Sequence, residues 1–108
     1  MKIIVNDYLP VGRHFAAINL FGVLFVKRGV PLTPGLINHE SIHTRQIREL
    51  LYIPFYLIYL MEWVLRLFQC RFNVIGAYYR ISFEREAYRH GDDLGYLARR
   101  RPFAMWRR

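Results

Sequence analysis

The spacing of apolar residues along this chain changes after about residue 30. Before that point they come in short runs, KIIV and then FAAINLFGVLFV, punctuated by Gly12, Gly22 and Gly29. Runs of this length, rich in Ile, Val and Phe, predict short strands over residues 3–5, 15–20 and 23–27, with a hairpin or bulge at Gly22. From VPLTPGLINHE onward the spacing is helical. Thr33 suits an N-cap and Pro34 the first helical position, so a helix is expected over residues 34–52. Leu36, Glu40, His43, Ile47 and Leu50 share its inward side, while Arg45, Arg48 and Glu49 lie largely elsewhere.

Pro54 interrupts that pattern and opens a second helix over residues 54–69. QCRFNVIG, residues 69–76, reads as a loop. In AYYRISFEREAYRHG, Ser82 is a candidate cap for a helix over residues 82–90 that ends at Gly91. Asp92 or Asp93 then caps a last short helix carrying Leu94, Tyr96 and Leu97. The expected class is α+β and mainly helical. A short N-terminal hairpin or sheet is followed by three to four helices, all within one domain of 108 residues.

The composition is both apolar and basic. Hydrophobic residues make up 54% and aromatics 17%, yet 16 Lys+Arg against 8 Asp+Glu leave a net charge of +8. A chain both oily and basic suits an anionic surface, lipid or nucleic acid. The segment LLYIPFYLIYLM holds twelve uncharged residues, short of the roughly 20 that a simple span needs. Within it and just beyond, Tyr52, Tyr56, Tyr59 and Trp63 recur at helical spacing. That stripe reads either as a packed core face or as an insertion into lipid headgroups. The tail ARRRPFAMWRR mixes arginine with Phe103 and Trp106, and reads as a headgroup or single-strand contact or as a solvated end. No specific nucleic-acid target is expected, since no nucleic-acid fold is recognisable. MKIIVNDYLP lacks the apolar core of a signal peptide, so a cytoplasmic, membrane-associated protein is expected. Cys70, the only cysteine, excludes an internal disulfide and reads as a buried thiol or a metal ligand.

The stretch NHESIHTRQ carries the chemistry. His39 and His43 lie four apart, one turn above each other on a helix, and can offer two imidazole nitrogens to one ion. Glu40 points about 100° away from His39 and can reach a metal-bound water without ligating. H-E-x-x-H therefore divides the labour: the histidines hold Zn²⁺ and the glutamate takes the water's proton. The plainer reading buries one imidazole and solvates the other. A catalytic zinc needs a third ligand, and Glu84 and Glu86 in FEREAY are the candidates. Buried alone, either carboxylate would be costly, and a metal would remove that cost. Pairing with Arg80, Arg85 or Arg89 is the alternative. The two glutamates point about 200° apart, so one of them ligates and not both.

H-E-x-x-H followed some forty residues later by E-x-x-A resembles the gluzincin metallopeptidases, through His39, Glu40, His43, Glu84 and Ala87. Membrane-associated members continue E-x-x-A-D, where this chain has Tyr88. Over residues 15–97 the chain is similar to short bacterial proteins with N-H-E-x-x-H-x-R-Q and S-F-E-R-E-A-Y. The resemblance implies a zinc peptidase with Glu84 as third ligand and Glu40 as base, acting on a peptide or protein substrate. It also implies that a strand within residues 15–27 is the edge on which an extended peptide lies. Glu86 would orient a zinc-bound histidine. Tyr79, Tyr88, His90 and Arg80 are the candidate donors to a developing oxyanion. His90 and His14 also read as ordinary hydrogen-bonded histidines. Two functions of other classes stand beside the peptidase. One is a zinc module closed by a fourth ligand such as Cys70. The other is a basic module for lipid or nucleic-acid surfaces.

Overall fold

A computed structural model describes residues 2–8 and 17–106. Gly12, His14 and the first two positions of the expected 15–20 strand lie outside the described residues. Three strands, β1 (Lys2–Asn6), β2 (Ala17–Leu20) and β3 (Val23–Lys27), form one sheet with β3 in the middle. β2 and β3 pair antiparallel, with Leu20 opposite Val23. The two residues between them, Phe21 and Gly22, take φ of 55° and 88°. Positive φ at both positions is what a two-residue hairpin turn requires, and glycine supplies it at low cost. β1 pairs with β3 in parallel. That pairing is non-local and carries no turn signal in the sequence.

Helix α1 (Pro34–Glu49) starts as its sequence predicts: Thr33 Oγ1 accepts from Leu36 N at 3.1 Å. It stops three residues short of the expected position 52. Leu51 and Tyr52 turn to φ of 59° and 70°, and their N–H groups bond back to Arg48 O and Ile47 O. This backward closure satisfies the last carbonyls of α1. The apolar spacing simply runs on through the turn. α2 (Ile53–Gln69) then leaves at 111° to α1. Among the described residues, no single helix is long and apolar enough to cross a membrane. Tyr56, Tyr59 and Trp63 pack on the buried cluster of Ile47, Phe55, Ile81 and Phe83. Most of the aromatic stripe is therefore core, and only Tyr52 stands largely exposed.

Part of the expected loop 69–76 is helical: α3 (Val74–Arg80) begins within it. Its signal is Asn73, whose Oδ1 accepts from Gly76 N at 3.0 Å. Ile81 takes an extended conformation and breaks the chain between α3 and α4 (Ser82–His90). Ser82 is not a cap. Its N–H and hydroxyl both donate to the Glu62 carboxylate on α2. The last helix, α5 (Tyr96–Arg99), has Gly95 at its N-cap, so neither aspartate caps it and Leu94 lies outside it. Asp93 accepts instead from Gly95 N. α1 and α4 lie against each other through buried Ile42 and Ala87, and Tyr96 joins that cluster.

Candidate metal centre

Helix α1 brings His39 and His43 together, and its packing on α4 adds Glu84. His43 Nε2 stands 2.9 Å from Glu84 Oε1 and 3.2 Å from His39 Nε2, and His39 Nε2 lies 3.5 Å from the same carboxylate oxygen. Among the described residues these three side chains form the group able to hold a metal ion. Neither Glu86 nor Cys70 belongs to it. Three ligands at about 2.0–2.1 Å in a tetrahedral arrangement lie about 3.3 Å from one another. The observed edges bracket that value, so the donor set fits a zinc-sized ion.

The candidate ligands are oriented from behind. Gln46, fully buried, donates both amide hydrogens, one to Phe83 O and one to Glu86 Oε1. Its Oε1 is left to accept from His43 Nδ1 at 2.8 Å. The Nδ1 nitrogen therefore carries the proton, and Nε2 faces the cluster. Glu84 is fixed in the same way, because Tyr59 donates to its Oε2 at 2.7 Å and leaves Oε1 to the histidines. The His39 ring meets Tyr88 edge-on, with centroids 4.5 Å apart.

Electrostatics follow from burial and these contacts. Burial alone would push the His43 imidazole down. The Glu84 carboxylate beside it, the hydrogen bond to Glu84 and the Glu40 charge outweigh that and hold it at about 9. Burial would likewise raise Glu84, but His43, with hydrogen bonds from both histidines and Tyr59, holds it well below the usual carboxylate range. Glu40 goes the other way. Burial raises its carboxyl, and the two histidines only partly offset this.

Glu40 borders two cavities. The larger, about 570 Å³, is lined also by His43 and Glu84 and otherwise largely by apolar groups such as Ile47, Phe55 and Leu60. The smaller, about 340 Å³, is bordered by His39, Tyr88 and Gly91. Ala17 on β2 and Tyr78 line both. β2 is an edge of the sheet, pinned to α1 by Asn19 Nδ2, which donates to Glu40 O and Thr44 Oγ1. Its hairpin end is already occupied. Tyr56 OH accepts from Phe21 N and donates to Asn19 O.

The other residues singled out in the sequence fall at different depths. Tyr88 sits at the site, with its hydroxyl 3.1 Å from that of Tyr78. Tyr79 packs on both of those rings but borders neither cavity, and neither does Arg80. His90 is turned away and stacks on Tyr96 at 3.8 Å. Glu86 does not touch either histidine; it reaches His43 only through Gln46. It also accepts from Tyr96 OH and from Arg100. Arg100, whose side chain is fully buried, forks onto Glu49 with two bonds of 2.9 Å. Thus Glu49 and Glu86 share the arginine, and Arg80, Arg85 and Arg89 are not partners of Glu86.

Sequence reasoning missed Gln46, Tyr59 and Tyr78 as parts of the site. Gln46 had a readable signal, being three residues after His43 on the same helix. Tyr59 was visible only as one ring of an aromatic stripe. No family model matches the chain, and neither a curated protein nor a solved structure is found to be similar to it. The gluzincin resemblance rests on its motif residues alone.

Proposed function

We propose that this protein is a minimal zinc-dependent hydrolase of peptide bonds. The observation that carries the reading is the triangle of His39, His43 and Glu84 donor atoms at tetrahedral spacing, with a second carboxylate, Glu40, beside it at the junction of two cavities. A zinc ion held there supplies a Lewis acid that polarises a carbonyl and lowers the pKa of water to about 7. Glu40, outside the donor triangle and raised by burial, takes a proton from water and returns it to the leaving amine. Tyr78 and Tyr88, both held above the usual phenol range by burial first, stay protonated and are the hydroxyl donors at the cleft.

Cavities on both sides of Glu40 suit an extended substrate that continues past the reacting bond. Because Tyr56 occupies the Asn19–Phe21 end of β2, main-chain pairing along that edge is left to the Ala17 side. The larger cavity favours a bulky apolar side chain. Within the tail, Arg100 is enclosed and Trp106 donates to Ser82 Oγ, so these two side chains are tied to the fold.

Metal analysis of protein purified without chelator, paired with peptide-library hydrolysis, tests the reading. The wild type should carry about one equivalent of zinc and His43→Ala well under that. Glu40→Gln should keep zinc and lose hydrolysis. A wild type that takes up no zinc on reconstitution sinks the proposal.

A further inference from the structure

With its aromatic side packed on the core, α2 turns a second apolar side to solvent. Leu57, Leu60, Met61, Val64, Leu65 and Phe68 recur at i, i+3, i+4, i+7, i+8 and i+11, and are between 41% and 69% exposed. They fill one continuous side of a 17-residue helix, about 25 Å long. Phe72, 66% exposed, extends the stripe by packing on Phe68 with centroids 5.3 Å apart. Phe72 is held at φ 63°, and at the other end of α2 Leu51 is 76% exposed at φ 59°. Glycine or asparagine would adopt these left-handed conformations at lower cost. Both ends of α2 thus place a large apolar side chain in water on left-handed backbone, as Phe21 and Phe103 do elsewhere in the fold.

We infer that this face of α2 docks on an anionic lipid surface, with the helix lying in the headgroup layer and the cleft mouth toward the membrane. Charge selects this occupant. The chain carries +8, so a second copy would bring like charge to the interface, whereas an anionic bilayer complements it. No carboxylate stands on the stripe: Glu62, the one acidic residue of α2, is bonded to Ser82 on the opposite side. Arg71, exposed and next to Phe72, adds positive charge at the stripe's end. The helix lies on the bilayer and does not cross it, because its other side is committed to Phe83 and Ile47. Leu60 belongs both to the stripe and to the wall of the 570 Å³ cavity. The docked face is therefore continuous with the candidate site, and an apolar substrate segment could pass from lipid into the cleft.

Co-sedimentation with vesicles of phosphatidylcholine alone and with 30% phosphatidylglycerol, as an order-of-magnitude choice of surface charge, tests this. Wild-type protein should bind the anionic vesicles at low salt and leave them as salt rises. Met61→Ser/Phe68→Ser should weaken binding by about tenfold or more. Arg71→Gln should weaken it by about fivefold. Both should keep the wild-type melting temperature and zinc content, since these side chains are exposed. No binding at low ionic strength overturns the proposal, as does binding that the double substitution leaves intact. A dimer in light scattering that the double substitution dissociates would also overturn it and assign the face to a second copy. None of these readouts involves hydrolysis, so failure here is distinct from failure of the peptidase reading.

Discussion

At the scale of single residues, two glutamates separated by one position have been given opposite tasks. Glu84 faces the histidines, and Glu86 faces Gln46, Tyr96 and Arg100. Glu84→Ala should therefore abolish most zinc binding, while Glu86→Ala should weaken it by about 10–100-fold, as measured with a chromophoric chelator. A larger loss from Glu86→Ala would transfer the ligand role. The protonation of His43 makes a second prediction. In the metal-free fold its pKa is raised from 6.5 to about 9, so the proton-bearing pair with Glu84 stabilises that fold fully below about 6.5 and fades as pH rises through about 9. An ion must displace that proton. Zinc affinity should then climb by about tenfold per pH unit between 7 and 9 and level off above, with about one proton released per ion at pH 7 in calorimetry. A flat profile over that range would show that His43 is neutral before the ion arrives. Both glutamates and both histidines were legible in the sequence, because helical spacing fixes which side each faces. What spacing could not give was the partner of Glu86. Arg100 lies fourteen residues further on, in a tail that composition alone makes look solvated.

At the scale of elements, the long helices were legible, including both ends of α4 and the start of α1, while the close of α1 and the whole of α3 were not. α1, α2 and α4 follow from apolar periodicity together with Thr33, Pro34 and Pro54. α3 escaped because seven residues offer too few turns for a period, and only Asn73 announces it. The close of α1 carries no sequence mark for a different reason. Its left-handed turn is built from Leu51 and Tyr52 where a glycine would have marked it. Leu51→Gly should therefore stabilise the protein by about 0.5–1 kcal/mol, the relief of the left-handed strain less the entropy that glycine adds to the unfolded chain. Thermal unfolding would read this as a higher melting temperature, and a lower one would show that Leu51 contributes packing which its exposure conceals.

At the scale of the whole molecule, the candidate metal centre joins two helices distant in sequence. Two of the candidate ligands sit on α1 and the third on α4, helices that pack through Ile42 and Ala87, through Ile47 and Phe83, and through the Gln46 bonds to Phe83 O and Glu86. An ion bound to the folded form alone should stabilise it by about 2.7 kcal/mol at a hundredfold excess over the dissociation constant, so chelation should lower the melting temperature by about 10 °C or more. An unchanged transition on chelation would mean that α1 and α4 hold together without help. Arg100 bears on this packing from the other end of the chain. Its guanidinium bonds Glu49 on α1 and Glu86 on α4 at once, so one buried cation clasps the two helices that carry the candidate ligands. Without it, two carboxylates on the pairing faces would be left beside each other with no countercharge. The helix pairing that assembles the candidate site is thereby tied to a residue far along the chain from every member of that site.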